Sequence, residues 1–399
     1  MKSNKKVLLL PLFLLSALCV LGAAGDRYFA TSAENLRFRE TPGTAGKFMR
    51  YLVAGEKLKF LEKGKEETIG GVRGAWCKFQ TEKGETGWCF DGFLTEIIST
   101  VTTPPAHAKA VFSVSFSPDG KFALSASADK TIKLWEIPAC KEVRTFTGHT
   151  GSVNAVVYSQ EGHEALSGSA DMTMKMWDIA TGKDIKTFKC LGSVDAVAIS
   201  PVYSTVLGGG GRVMIQQFGR TSGMELTYLS GHTSFPLSIV YSPDGKYALS
   251  GSWDTSIKLW DAESSKEIRT LQGHRLYVRS VAFSPNGKQI LSGGEDGALI
   301  LWDTGSGRKI RSFIEDTFRP PIHSVAVSPN GKYAASGFYG GSIKLWELST
   351  GKEVRTFDGH TDIVKSMVFS PDGKYLLSGS FDKTIKLWEV STGRCVRSF

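Results

Sequence analysis

The chain has 399 residues, 41% apolar and 22% charged, with 44 glycines and a formal charge of +9 at pH 7. This balance excludes a disordered polyampholyte and a long α-helical rod, and the length exceeds one ordinary domain unless the chain is a repeat or a barrel. Six dispersed cysteines do not make a disulfide framework, and a chain of this size buries a sufficient core without disulfides or metals.

The chain opens with Lys2, Lys5 and Lys6, then an apolar run from Val7 to Leu21 broken by Pro11 and Ser16, ending in Gly22-Ala23-Ala24-Gly25. A basic start, an apolar middle and a small-residue exit predict an export signal over residues 1–24, and hence a periplasmic or cell-surface protein. The run is short for a membrane span, no basic flank follows it, and no later apolar run reaches about 20 residues, so no integral span is expected. Leu18, not a small residue, precedes Cys19, which predicts soluble export rather than a lipid anchor there. Without the leader the charge is +6 and five cysteines remain, Cys77, Cys89, Cys140, Cys190 and Cys395.

Residues 27–98 read as short strands in "AENLRFRETPGTAGKF", "VAGEKLKFLEK" and "AWCKFQTEKGETGWCFDGFL". Asn35-Leu36-Arg37, Arg39, Pro42, Gly55, Trp76, Gly87-Trp88 and Leu94 give this segment its character, and on them it resembles the bacterial SH3-like family. The resemblance implies a small barrel that binds cell-wall peptides or glycans, or serves as an extracellular spacer. A three-residue loop at Glu82-Lys83-Gly84 sets Cys77 opposite Cys89. Two readings stay open: a disulfide, or two small buried hydrophobes. A stiff linker, 99–106, carries Pro104-Pro105.

From 107 to 399 the chain repeats. Trp135, Trp177, Trp260, Trp302, Trp346 and Trp388 are spaced by 42, 83, 42, 44 and 42 residues, and Phe218 falls inside the double gap, giving seven units. "VFSVSFSPDGKFALSASADKTIKLWE" recurs as "LSIVYSPDGKYALSGSWDTSIKLWD". Period-two runs separated by SPDG or SPNG turns predict four antiparallel strands per unit. Six residues before the tryptophans stand Asp129, Asp171, Asp254, Asp296 and Asp382, and 28 before them stand His107, His149, His232, His274 and His360. These motifs strongly resemble the WD-repeat family. The resemblance implies an all-β chain with a seven-bladed β-propeller behind the SH3-like barrel, each complete blade tied by a relay of His, a strand Ser or Thr, Asp and Trp.

Unit three carries Cys190, Arg212 and Phe218 at the relay positions, and unit six carries Phe318 and Gly340 with Trp346, so both are expected to lack the relay. Most propellers of the family close by mixing strands from both chain ends in one blade. Here the last unit has its own fourth strand in Arg394–Phe399, which predicts closure without strand exchange unless Ile97–Val101 adds a strand.

A Ser, His and Asp set repeated in five blades is structural, not a hydrolase triad, and no catalytic residue is expected. His163 and His323, the histidines outside the relay, have no metal-ligand spacing, so neither metal nor cofactor is expected. Gly208–Gly211 lacks the Lys-Ser/Thr of a phosphate loop and reads as a blade turn. Lys and Arg of the fourth strands guard sheet edges, and export points away from nucleic acid.

In the family, the residue before the relay Asp and those three and five after the relay His point to the rim of the channel. On this chain the resemblance assigns Ala128, Ala170, Trp253, Glu295, Tyr339 and Phe381 to the first position. Phe235, Leu237, Tyr277, Arg279, Ile363 and Lys365 fill the others, with Phe112 in unit one. The resulting expectation is a non-enzymatic exported scaffold that binds a protein or peptide through an aromatic sector of units four to seven. An enzyme at the mouth would need a non-repeating cluster of ionisable residues there, and a lectin would repeat polar–aromatic pairs blade by blade.

Overall fold

The computed structural model of the chain describes residues 18–22, 26–30, 36–41, 48–52, 57–69, 72–81, 85–90, 106–314 and 320–399. They fall into two units, Met1–Thr103 and Pro104–Phe399. The leader to residue 17, Asn35, Pro42, Gly55, the 82–84 loop, Leu94, Ile97–Val101, Pro104-Pro105 and Phe318 lie outside the described residues.

In the first unit seven strands form one sheet around the long hairpin of Lys57–Ile69 and Val72–Thr81. Thr86–Phe90 pairs with the second arm of that hairpin and sets Cys77 directly opposite Cys89, both buried. Leu18–Gly22, the tail of the predicted export segment, is the outermost strand and pairs with Asp26–Ala30. Cleavage near Gly25 would therefore remove an edge strand and no interior one.

The second unit is seven consecutive four-stranded antiparallel sheets, each built from one unit of the repeat. The innermost strands begin at Val111, Val153, Val194, Pro236, Val278, Ile322 and Val364. Alternation of apolar and small residues lets both faces of each sheet be covered by its neighbours, and the predicted turns have the geometry their residues demand. At Ser117-Pro118-Asp119-Gly120 the Ser117 hydroxyl bonds Asp119 Oδ1 at 2.6 Å, and Gly120 takes φ of 71°. The apolar cores lie between blades. Leu124, Leu134 and Phe146 of blade one pack on Val153, Val156 and Trp177 of blade two, and the pattern continues around the ring. At the seam, Val111 and Trp135 of blade one meet Leu377, Ile385 and Phe399 of blade seven, with Trp135 and Phe399 edge-on at 4.8 Å. The ring closes, as expected, without exchanging a strand.

The relay is present in all five blades that carry its residues. In blade seven His360 Nδ1 lies 2.7 Å from Asp382 Oδ2, and Nε2 lies 2.7 Å from Ser378 Oγ, which also accepts the Trp388 indole N–H at 2.8 Å. Asp382 further accepts the Thr384 hydroxyl and the backbone N–H groups of Thr361 and Thr384. Three strands and the incoming loop are thus tied by one buried network. In blade six half of it survives, as Trp346 still donates to Ser336 Oγ at 2.8 Å. In blade three all four members change together, to Cys190, Gly208, Arg212 and Phe218. No half-satisfied network remains there, and Gln216 Oε1 accepts the Leu191 N–H, as the relay Asp accepts the N–H after the His elsewhere.

Gly208–Gly210 are not a turn, correcting the expectation for this run. They end the second strand of blade three, Thr205–Gly210, and only Gly211 lies in the turn. A Cβ on Gly208 would come within 2.5 Å of Met174 Sδ in blade two, and one on Gly209 within 2.7 Å of Ile239 in blade four. Close packing between blades, not turn geometry, requires glycine at these two positions. The fourth-strand cations also do more than guard edges: Arg144 and Arg269 donate to the carbonyls of Ala180 and Ser306 in the following blades.

Replacing Asp382 with Ala should cost about 1–3 kcal/mol, since the buried His360 donor and two N–H groups lose their acceptor. Gly340→Ala, at the equivalent site of blade six, meets nothing within 4 Å and should leave the melting temperature nearly unchanged. Equal shifts in thermal melts would contradict the role given to the relay.

Acid should weaken the fold for two reasons of the same sign. Burial pulls His149, His232 and His360 below their ordinary 6.5, outweighing the aspartates that raise them. Burial would raise Asp171 and Asp254, but hydrogen bonds, chiefly from Thr173 and Ser256, hold both at about 2 against an ordinary 3.8. All five groups bind protons more weakly folded than unfolded, so their contribution is full above about pH 6.5 and shrinks as pH falls. A second decline comes between about pH 4 and 2, as the aspartates titrate. Melting temperature followed against pH should therefore fall steadily on acidification, and a rise would contradict this accounting.

Candidate binding face at the channel mouth

Each hairpin between second and third strands is pinned beside the start of its blade's innermost strand. The N–H groups of Trp253, Glu295, Tyr339 and Phe381 donate to the carbonyls of Phe235, Tyr277, Pro321 and Ile363 at 2.8–3.0 Å. Ala128, Ala170 and Gly211 make the same bond in the first three blades. The residues assigned to the rim therefore gather at one end of the channel.

There they form a connected aromatic surface. Trp253 of blade four stacks on Tyr277 of blade five at 4.9 Å and 15°, and Phe235 meets Trp253 edge-on at 5.6 Å. The Arg279 guanidinium lies 5.7 Å over Tyr277 and pairs through Nε with Glu295 at 2.7 Å. Trp253 and Tyr277 remain 37% and 36% exposed and Tyr339 56%, so mutual packing leaves a large part of each ring in water. Phe381 is half-buried and bridges the seam to Phe112 at 5.4 Å. Leu237 is half-buried. Ile363 departs from the expectation: it is 8% exposed, because an aliphatic side chain with no polar tip is better buried than displayed.

One level inward, each innermost strand contributes its second residue to a ring: Phe112, Asn154, Asp195, Leu237, Arg279, His323 and Lys365. No two of the seven are the same, unlike the level below. There Ser113, Ser238, Ser280 and Ser366 each accept a backbone N–H from an adjacent blade at 3.0–3.2 Å. Sequence reasoning named Phe112, Leu237, Arg279 and Lys365 and missed Asn154, Asp195 and His323. The signal was available, since counting five residues on from His149, from Cys190 and from Phe318 reaches all three.

The ring is electrostatically uneven. Asp195 sits on the blade-three side, held by the Asn154 amide at 2.7 Å and the Ser193 hydroxyl at 3.2 Å, and burial pushes its carboxyl up. Arg279, His323 and Lys365 occupy blades five to seven. Burial, then the charges of Lys365 and Arg279, pull His323 down to about 4, so its imidazole is neutral at pH 7. Burial and Arg279 also lower Lys365. No hydroxyl or thiol is bonded to His323 among the described residues, and none of its partners orients it. The serines bonded to histidine are those of the relay. Nor do three or more His, Cys, Asp or Glu gather among the described residues as a metal site would require.

The family model described as "WD domain, G-beta repeat" matches residues 98–136, 140–178, 223–261, 265–303, 307–347 and 351–389. These segments leave out the third blade, where the relay is replaced. The model of the bacterial SH3 domain matches residues 34–95. Among curated proteins, WD repeat-containing protein 1 of Bos taurus is 38% identical over 58 residues, covering 14% of this chain and 10% of that protein. The Gallus gallus protein of the same name is 39% identical over 57 residues, 14% of this chain and 9% of its own length. The chain thus spans about a tenth of these relatives.

Proposed function

The chain belongs to the WD-repeat family, whose propellers generally bind proteins, and from that premise we propose that it is an exported, non-enzymatic scaffold gripping a protein or peptide on the aromatic mouth of its propeller. The observation that carries this reading is the Phe235–Trp253–Tyr277–Arg279 run, rings in contact with one another yet left wet, beside a fixed guanidinium. Aromatics and Arg at the centre of a rigid rim are the composition of an interface hot spot. The front domain would then tether the scaffold to cell-wall peptide or glycan, or to the same partner. Export is supported by the leader of residues 1–24.

One observation favours a second reading, a periplasmic enzyme using the mouth. The ring of Asp195, Arg279, His323 and Lys365 is the non-repeating ionisable cluster that such an enzyme would need. Against it, His323 has no nucleophile within bonding distance and no acceptor to orient it. A base without either partner lacks the geometry of acid–base or covalent catalysis.

Replacing Trp253, Tyr277 and Phe381 together with Ala should abolish capture of the native partner from an envelope extract. It should lower the melting temperature only slightly, since two aromatic contacts contribute about 0.5–1.5 kcal/mol each. Capture that survives the triple change would place the binding face elsewhere. Intact mass of protein recovered from the envelope should correspond to a chain beginning near Gly25. An intact Met1, or recovery from cytosol alone, would overturn export.

A further inference from the structure

Resting on the reading of the propeller mouth as a protein-binding face, we propose that the mouth holds a carboxylate pocket, in which an acidic side chain of the bound segment inserts between His323 and Lys365 beside Arg279. His323 is 8% exposed, and neither ring nitrogen has a hydrogen-bond partner. A buried polar group left unmet costs free energy that a ligand atom can return. Lys365, on the adjacent strand, has no ion pair within 4 Å among the described residues, although it is enclosed by protein on most sides. Arg279 spends its Nε on Glu295, and no described hydrogen bond engages its terminal nitrogens. Donors therefore outnumber acceptors across blades five to seven.

The chemistry of the occupant follows from this set. Lys365 and Arg279 repel a cation or a metal ion. A monoanion with two oxygens can take the His323 N–H on one and the Lys365 ammonium on the other, as a charge-assisted pair. Glu295 and Asp195 stand close enough to disfavour a dianion, which selects carboxylate over phosphate. Asp195 itself is not a rival occupant, because Asn154 and Ser193 already hold it on the opposite side of the ring.

Binding should also be linked to a proton. The charges facing His323 are Lys365 and Arg279, which oppose its protonation, and Glu295, which favours it, while Tyr339 packs its ring at 6.1 Å. A bound carboxylate adds to the side of Glu295, so affinity should rise as pH falls from about 7 toward 5.

The test is imidazole NMR of the full chain, which has seven histidines, titrated with a terminally blocked Gly-Glu-Gly peptide, its Gln counterpart and inorganic phosphate. The Glu peptide should move the one resonance that is lost in His323→Gln, raise its pKa, and leave the five relay resonances in place. In Lys365→Met, with relay resonances and melting temperature retained, the Kd should weaken by about tenfold. No shift up to roughly 20 mM peptide, an equal response to the Gln peptide, or a response to phosphate alone would overturn the pocket. Because these probes need no partner, partner capture and the peptide titration fail independently. A silent titration with capture intact removes the pocket and keeps the binding face. A positive titration with capture unaffected by the aromatic changes supports the pocket and removes the aromatic reading.

Discussion

A four-stranded sheet with two apolar faces cannot exist alone in water, and everything in this propeller follows from covering those faces with neighbouring blades. Each core cluster lies at an interface between blades, so no blade is a domain and each depends on both neighbours. The ring must then close, and it closes on side chains. Gly379 of blade seven is flat enough to admit Val111, whose Cγ1 would lie 2.7 Å from a Cβ there, while Trp135 and Phe399 seal the outer edge. The front domain, with its own sheet, is under no such constraint, and its sequence carries no trace of the 42-residue period.

Interblade packing also explains how the sequence reads. Positions that face a neighbouring blade recur because each meets the same surface, which made the period, the strand count, the turns and the five relays legible before any coordinates. What hid was what breaks the recurrence. His323 and Asp195 lie in the two blades whose relay histidine is replaced, by Phe318 and Cys190, so the landmark from which their register is counted is missing. Gly208–Gly210 read as a turn because a run of glycines is ordinarily about backbone freedom. Here the cause is Met174 and Ile239 pressing from either side, a fact of tertiary contact that no local pattern contains.

The loss of the relay in blades three and six need not weaken the ring where it occurs. Blade three exchanges all four members at once, and with Phe218 in place of Trp there is no indole N–H seeking an acceptor, while Gln216 caps the Leu191 N–H. Blade six keeps the Trp346–Ser336 half and puts Gly340 in open space at the rim. Both solutions avoid the costly state, a buried donor with nothing to meet it. The unmet polar atoms of His323 are therefore out of character with a chain that is otherwise careful to satisfy its buried groups.

That contrast bears on where the molecule keeps its specificity. Inside the blades, substitutions come in compensated sets, which is how a structural network drifts. At the second residue of the innermost strands, seven different side chains occupy seven equivalent positions, and no packing rule asks for Arg279, His323 or Lys365, since Phe112 and Leu237 fill the same position with hydrocarbon. Charges placed where apolar residues would pack equally well cost desolvation and return nothing to the fold. Their arrangement is uneven as well, with an acid satisfied on the blade-three side and donors left over on blades five to seven, adjoining the aromatic run of blades four and five. A partner segment lying across the mouth would meet apolar rings first and the unsatisfied donors next, so its orientation would be set by the ring's own asymmetry in a scaffold that is otherwise close to sevenfold.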